Sequence, residues 1–168
     1  IDNYNEVKKE IEKEFSDKEI PLQFFDQENG GAPKARNKGF KYSKGVYVIF
    51  WDADIIGNSD MIERMHLALK QDKSASFAYS QFMFGFKKIK SQQYNEEDLK
   101  KNNYICTMSL IKRDDFPFFD ESLKRFQDWD LWLTMMENKK HGIFIPKVLF
   151  KTIVGMRNGI SSWIPSFV

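Results

Sequence analysis

The sequence contains little cysteine, little excess charge and no long apolar run. Cys106 is alone among 168 residues, which excludes an intrachain disulfide and a cysteine-based zinc site and fits a reducing compartment. No apolar run approaches the ~20 residues that span a bilayer. The 26 basic and 24 acidic residues give a net charge of +2, which argues against a nucleic-acid binder. We therefore expect a cytoplasmic protein with no nucleic-acid partner and no transmembrane segment in this chain, a composition that still permits peripheral association with the membrane.

Large aromatic side chains, by contrast, are abundant. The chain has 16 Phe, 6 Tyr and 4 Trp, so aromatic residues make up 15% of the sequence. Rings at this density predict a core built from large side chains, and an apolar fraction of 42% excludes a disordered chain. The length suits one ordinary domain, and no repeat or linker divides it. We therefore predict a single domain over residues 1–168.

Helical and strand patterns alternate along the chain and predict an α/β fold. Residues 46–51 are the clearest strand, and their apolar character on both faces is typical of a central strand covered by helices. The order becomes mixed in the second half, which predicts a three-layer sandwich with a largely parallel sheet and an antiparallel portion. Periodicity predicts helices over 3–16, 33–43, 58–69, 96–101 and 126–137, and further strands over 22–25, 76–84, 104–111, 143–145 and 148–154.

Asp52 and Asp54 directly follow the predicted central strand. Ligands of open α/β sheets bind outside the carboxyl ends of the strands. Two carboxylates separated by one residue in extended chain project to the same side and can share Mg²⁺ or Mn²⁺, which also takes phosphate oxygens. A polar turn with no ligand explains the same tripeptide, so the pattern by itself leaves both interpretations open.

The start of the last predicted helix carries a second set of candidate residues. Asp128 and Asp130 flank Trp129, and a tryptophan beside a carboxylate can form a platform for a sugar. The structural alternative places both Trp129 and Trp132 in the core, three residues apart on one helix face. We favour the core for Trp132 and leave Trp129 open between the two interpretations.

A basic segment follows a pair of glycines. Gly31 precedes a predicted helix whose first turns contain Lys34 and Arg36, and such a helix start can bind phosphate oxygens. The segment is neither a Walker loop nor a dinucleotide fingerprint. An exposed basic helix start without a ligand is at least as good an interpretation of these residues.

Taken in order, these segments resemble a family 2 glycosyltransferase of the GT-A fold. The resemblance extends over about residues 22–150, and it implies a GT-A-like three-layer α/β/α sandwich that lacks the first strand and helix at its N-terminus. It also implies a nucleotide-donor half over about 1–57, an acceptor half over about 58–154 and a tail over 155–168. The residues that carry it are Glu28-Asn29-Gly30-Gly31-Ala32, Ala35-Arg36-Asn37-Lys38-Gly39, Phe50-Trp51-Asp52-Ala53-Asp54 and Gln127-Asp128-Trp129-Asp130-Leu131-Trp132.

The resemblance implies the inverting transfer of a sugar from a nucleotide-diphosphate sugar to a hydroxyl of a glycan or lipid-linked acceptor. It places a divalent cation, Mn²⁺ or Mg²⁺, on Asp54 and Asp52, and it makes Asp128 the general base. The other roles that it implies are nucleotide-sugar binding by Arg36, Asp52, Asp54 and Gly31 and acceptor binding by Trp129 and Gln127.

Two features depart from the family pattern. Gln127 stands where the family has the Glu of a Glu-Asp pair, and residues 153–157 lack a histidine that approaches the metal in some members. A non-catalytic nucleotide-sugar or glycan-binding domain of the same fold, inactive because the first strand and helix of the family pattern are missing, is the rival interpretation. A nucleotidyltransferase would also use a metal and paired acids, but the segment Gln127-Asp128-Trp129 argues against it.

Overall fold

The computed structural model describes residues 4–18 and 20–153, and the chain divides after Gly30 into two units. In the first unit, Tyr4–Glu14 forms helix α1, in agreement with the helix predicted over 3–16. The strand predicted over 22–25 is wrong, because residues 20–30 form neither helix nor strand. A short apolar run becomes a strand only when a neighbouring strand pairs with its backbone groups.

Four α-helices and six strands make up the described part of the second unit. No helix in the described ranges combines the length and apolar character needed to cross a membrane. In chain order the elements are α2 (Gly31–Tyr42), β1 (Tyr47–Val48), β2 (Ile55–Gly57), α3 (Met61–Gln71), β3 (Phe77–Phe84), β4 (Lys87–Ile89), α4 (Glu96–Lys101), β5 (Leu110–Lys112), a 3₁₀ turn (Arg113–Asp115), α5 (Gln127–Glu137) and β6 (Gly142–Thr152).

The six strands form one mixed sheet. Its paired strands follow the order β1-β5-β3-β6-β2, with β4 beside β3. The pair β3–β6 is parallel, whereas β1–β5, β3–β5, β3–β4 and β2–β6 are antiparallel. The α/β fold is confirmed, but a mostly parallel sheet is not confirmed over the described residues. One cause is the turn of Gly85 and Phe86 between β3 and β4, since a two-residue connection joins antiparallel strands.

The predicted central strand over 46–51 is shorter and less enclosed than expected. Only Tyr47 and Val48 pair with a neighbour, which is β5, and β1 therefore lies at one end of the described strand order. Val46 is 75% exposed. A continuous apolar run does not distinguish a strand with two neighbours from a strand with one, so its position in the sheet could not be read from the pattern.

The sheet carries a hydrophobic core on each face, which confirms the three-layer arrangement. Side chains alternate along β3, so Phe77 and Tyr79 belong to one core and Ala78 to the other. Trp132 is fully buried in the first core, and its ring stacks on Phe77 with the centres 4.6 Å apart. The core position favoured for Trp132 is therefore confirmed. Helices reach the first core through Phe40, Leu99, Leu131 and Trp132, and the second core through Met61, Met65 and Leu69.

Replacing Gly142 by alanine tests the close approach of β6 to β3. An alanine Cβ there would lie 2.3 Å from the Phe77 ring, which is fully buried and has no room to move away. We expect Gly142→Ala to lower the free energy of unfolding by about 1–3 kcal/mol in urea denaturation. Gly39→Ala is the matched control, because nothing lies within 4 Å of its added Cβ and alanine favours helix α2. Unchanged stability of Gly142→Ala would contradict this packing.

Candidate functional site

An ion pair joins helix α2 to Asp52, the residue that directly follows the 46–51 segment. Arg36 Nη2 donates to Oδ1 of Asp52 at 2.7 Å, and the arginine side chain is only 17% exposed. The guanidinium also lies over the Phe119 ring, 5.4 Å from its centre. Helix α2 begins at Gly31, whose φ of +81° is a conformation that favours glycine. Gly31, Arg36 and Asp52, predicted to bind the donor, therefore lie on or against the first two turns of α2.

A groove of about 430 Å³ runs between α2 and residues 48–52. Arg36 and Asp52 form the charged part of its wall. Because the remaining wall is largely apolar, solvent screens these charges less than it would at an open surface. The apolar part of the wall comes from Ala32, Ala35, Gly39, Phe40, Val48, Ile49, Phe50 and Trp51.

Asp52 and Asp54 lie in a turn and not in extended chain. The Ile55 N–H donates to the Asp52 carbonyl at 3.2 Å, and the Ile153 N–H donates to the Asp54 carbonyl at 2.8 Å. The expectation that both carboxylates project from one side of an extended segment is therefore wrong. The turn leaves Asp52 paired with Arg36 and places Asp54 directly before β2, which pairs with the end of β6.

The two carboxylates suit a divalent cation that is completed by a ligand. No group of three or more His, Cys, Asp or Glu side chains placed to hold a metal occurs among residues 4–18 and 20–153. Mg²⁺ commonly binds one or two carboxylates together with substrate phosphates and water, and Asp52 with Asp54 fits that chemistry. Arg36 already engages one oxygen of Asp52, which makes Asp54 the better direct ligand.

Asp128 lies in the first turn of α5 and is held by an amide that the sequence analysis missed. Asn103 Nδ2 donates to Asp128 Oδ2 at 2.8 Å, so one carboxylate oxygen is fixed. The N-terminal end of a helix also favours a negative charge at this position. Asn103 stands in an exposed polar segment after α4, where the sequence has no periodicity that could have pointed to it.

The predicted acceptor residues are both bonded to main-chain carbonyls. The Trp129 indole N–H donates to the Leu99 carbonyl at 2.7 Å, and the ring packs partly buried against the first core. Gln127 Nε2 donates to the Leu123 carbonyl at 3.0 Å. Trp129 thus serves the packing of α4 against α5, and a ligand can use only the part of its ring that remains exposed.

The pKa of the Cys106 thiol responds to charges from both parts of the candidate site. The pKa of its thiol is raised from 9.0 to about 12, chiefly by burial and further by the negative charges of Asp128 and Asp52. The Met108 N–H and the Arg36 charge oppose this rise. The charges of Asp128, Asp52 and Arg36 therefore all act on the protonation of this one thiol. A single cysteine gave the sequence analysis no signal for this position.

Asn37 ties α2 to the chain that leads into α5. Its Nδ2 donates to the Phe119 carbonyl, and its Oδ1 accepts from the Phe119 N–H, both at 2.9 Å. Nδ2 also donates to Glu121 Oε1 at 2.9 Å. Asn37 is 3% exposed, so the loss of these bonds would leave buried polar groups unsatisfied. The sequence analysis included Asn37 in a matching run without assigning it this role.

The fold is GT-A-like. The crystal structure of S. aureus TarS residues 1–349 is similar with a TM-score of 0.68 at 16% identity, and the match covers 88% of this chain and 48% of that one. The same TarS segment in complex with UDP-GlcNAc gives a TM-score of 0.71 at 14% identity, covering 94% and 49%. At these identities the likeness shows the fold alone.

The chain belongs to glycosyl transferase family 2, whose sequence profile matches residues 2–119. An uncharacterized glycosyltransferase of Methanocaldococcus jannaschii is 25% identical over 180 residues, which cover 96% of this chain and 61% of that protein. A cholesterol galactosyltransferase of Borreliella burgdorferi is 35% identical over 77 residues, which cover 46% of this chain and 21% of that protein. The chain therefore spans 61% of the archaeal relative and about half of the TarS segment.

The raised pKa of Cys106 predicts a thiol that is inert in the folded protein. The thiolate is the reactive form, and a pKa of about 12 leaves almost none of it near neutral pH. We expect Ellman's reagent to react roughly 100-fold more slowly with the folded chain than with the chain in urea. Cys106 is the single cysteine, so the colour change reports this thiol alone. Fast reaction of the folded chain would contradict the raised pKa of this thiol.

The raised pKa of Cys106 also makes the free energy of unfolding depend on pH. Above the ordinary pKa of 9.0 the unfolded chain loses the thiol proton while the folded chain keeps it, so alkali favours unfolding. The free energy of unfolding should therefore fall as the pH rises above 9.0, and the fall should be smaller in Cys106→Ala. An identical fall in both proteins would assign the effect to other groups.

Proposed function

We propose that this chain carries the transfer site of an inverting glycosyltransferase, which moves a sugar from a nucleotide-diphosphate sugar to an acceptor hydroxyl. The observation that carries the proposal is the groove beside α2, whose charged wall is the ion pair of Arg36 and Asp52, in a chain of glycosyl transferase family 2. The TarS complexes with UDP and UDP-GlcNAc support a nucleotide-sugar donor for a chain with this fold. We retain the division into a donor half over about 1–57 and an acceptor half over about 58–154 as part of the proposal.

The donor's diphosphate would bind at the start of α2 and at the Asp52–Asp54 turn. Asp54, with Asp52 as its neighbour in the turn, would hold a divalent cation, which would supply Lewis-acid chemistry toward the charge on the departing diphosphate. Arg36 uses one of its five N–H donors in the bond to Asp52, so the others can donate to phosphate oxygens. Gly31 has no side chain to block the approach of a phosphate to the helix N-terminus.

Asp128 acts as the general base in this proposal. It takes the proton of the acceptor hydroxyl while that oxygen bonds to the anomeric carbon. The bond from this carbon to the diphosphate oxygen breaks, and its electron pair leaves with the nucleoside diphosphate. One displacement from the opposite face inverts the configuration without a covalent intermediate. Asn103 fixes one carboxylate oxygen and thereby orients the other toward the acceptor, which makes Asn103 a positioning residue.

The acceptor would bind beside Asp128. A polar depression of about 370 Å³ lies next to this carboxylate. Asn103 lines the depression and also donates to Asp128. Amide, ammonium and hydroxyl groups are the usual partners of sugar hydroxyls, so a glycan or lipid-linked saccharide suits it. Trp129 can add an apolar surface for the sugar ring, and Gln127 borders the base. The depression is lined by Lys90, Gln92, Asp98, Asn102, Asn103 and Tyr104.

A non-catalytic nucleotide-sugar or glycan-binding domain is the alternative. The ion pair between Arg36 and Asp52 favours it, because a carboxylate neutralised by arginine is a weaker metal ligand. The two functions differ in whether the donor is cleaved. Metal-dependent release of UDP from a UDP-sugar, catalysed by the full-length protein, would exclude the binding-only alternative.

Replacing Asp54 tests the metal assignment. Asp54→Asn keeps the shape of the side chain and removes its charge, so we expect the Mn²⁺-dependent affinity for UDP-GlcNAc to fall roughly tenfold or more in calorimetry. Asp114→Asn is the control, since this exposed acid lies in the 3₁₀ turn and neither lines the groove nor belongs to the Asp52–Asp54 turn. Equal Mn²⁺-dependent affinity of Asp54→Asn and the unsubstituted protein would remove Asp54 from the metal site.

Replacing Asp128 tests the base. Asp128→Asn should lower the rate of sugar transfer or donor hydrolysis about 100-fold or more while the donor affinity stays unchanged. Asn103→Ala should lower the rate by a smaller factor, because the carboxylate remains but is no longer held. Glu137→Gln, at the other end of α5, serves as the control. Full turnover by Asp128→Asn would show that another group takes the proton.

A further inference from the structure

A hairpin at one end of the sheet exposes a complete aromatic ring to water. β3 and β4 are joined by Gly85 and Phe86, and Phe86 is 104% exposed, the highest value among the large apolar side chains of the described residues. A ring of this size normally gains free energy by leaving water. The position of Phe86 at the tip of a turn makes it available to another phase or molecule.

Lysines lie on both faces of the hairpin behind this ring. Lys87 is paired with Phe84 and Lys88 with Met83, and neighbouring residues of a strand point to opposite faces. Met83 is also paired with Lys151 on its other side, so a second strand adds positive charge to the same end of the sheet. Lys87, Lys88 and Lys151 are all exposed.

Further apolar side chains are exposed at this end of the sheet. Ile56 is 46% exposed and pairs with Lys151, and Ile153, directly after β6, is 44% exposed. Phe86, Ile56, Ile153 and the three lysines form what we term the hairpin surface, defined as residues 56, 86–88, 151 and 153. Exposed apolar side chains interspersed with lysine are the composition of segments that bind at a membrane interface.

The hairpin surface lies at the same end of the sheet as the Asp52–Asp54 turn. Thr152 is paired with Phe84 of β3 on one side and with Ile55 of β2 on the other. Two strand spacings, about 10 Å, therefore separate the end of β3 from the residue that follows Asp54. Asp52 is already paired with Arg36, so Asp54 is the acid of this turn whose charge most opposes the lysines.

We propose that the hairpin surface binds the headgroup region of an anionic phospholipid bilayer, with Phe86 inserted and the lysines at the phosphate level. A ring at a turn can enter a bilayer without a shaped groove, and lysine side chains can bury their methylene stems while the ammonium stays in the headgroups. Each lysine near an anionic surface contributes roughly a fivefold increase in binding. The inference does not depend on the proposed function, but it places the candidate site at the bilayer, where a lipid-linked acceptor is found.

Vesicle sedimentation tests the proposal directly. The full chain is mixed with vesicles of phosphatidylcholine alone or of phosphatidylcholine with phosphatidylglycerol, and the bound fraction is measured at low and high salt. We expect binding to the anionic vesicles only, weakened by salt because the attraction of exposed charges is screened over about 10 Å. Phe86→Ser should weaken binding roughly tenfold, and the double change Lys87→Gln with Lys88→Gln roughly twentyfold.

Matched controls separate the hairpin surface from general charge and apolarity. Lys70→Gln with Lys73→Gln removes two exposed lysines before β3, at the end of that strand opposite to the hairpin, and Leu67→Ser removes a 46% exposed side chain of α3. Both controls should bind like the unsubstituted chain. The proposal is overturned if neither vesicle is bound, if the controls weaken binding as much as the hairpin changes, or if soluble polyglutamate binds equally well without a contribution from Phe86.

Discussion

The candidate site depends on one buried amide. Asn37 satisfies both backbone groups of Phe119 and a carboxylate oxygen of Glu121, so it joins helix α2 to a segment far along the chain. A buried amide has few other hydrogen-bond partners. If one of its bonds is broken, a donor and an acceptor remain buried without a partner, which costs free energy. These hydrogen bonds therefore fix the position of the segment around Phe119 relative to helix α2. Arg36, the residue before Asn37, is placed over the Phe119 ring as a direct consequence.

The segment held by Asn37 turns sharply into α5. Phe118 and Phe126 have positive φ values of 71° and 58°, which bulky side chains rarely adopt. Such conformations persist only where surrounding contacts impose them. Phe118 packs edge-on against Phe40 of α2, and Phe126 packs edge-on against Trp129 of α5. Aromatic contacts at both ends thus hold the turn that sets the first residues of α5, including Asp128.

Helices were the part of the fold that the sequence predicted best. The pattern over 96–101 gave α4 with the same bounds, and 126–137 differs from α5 by one residue. Strands depended on pairing that the sequence does not show. The strand predicted over 104–111 pairs only from Leu110, and the two pieces predicted around Pro146 form one strand, because shifts in register at Gln81 accommodate the proline.

The residues of the candidate site also divide into those that a local sequence pattern indicates and those that depend on distant partners. Asp52, Arg36 and Asp128 were predicted because acids after a strand and charges at a helix start are local patterns, and their roles stay predictions. Asn37, Asn103 and Cys106 were missed, since each takes its role from a partner distant in sequence. The expected geometry of Asp52 and Asp54 was also wrong, because Arg36 and a main-chain turn decide it, and neither is visible in the tripeptide.

Helix α4 is attached to α5 at a residue next to the proposed base. Leu99 of α4 accepts the indole N–H of Trp129, and Asn103, just beyond the end of α4, holds Asp128. A displacement of α4 would thus carry the wall of the polar depression and the carboxylate in the same direction, preserving the spacing between them. In the proposed enzyme, substitutions along residues 87–101 would reshape the depression while the contacts of Leu99 and Asn103 with α5 are kept.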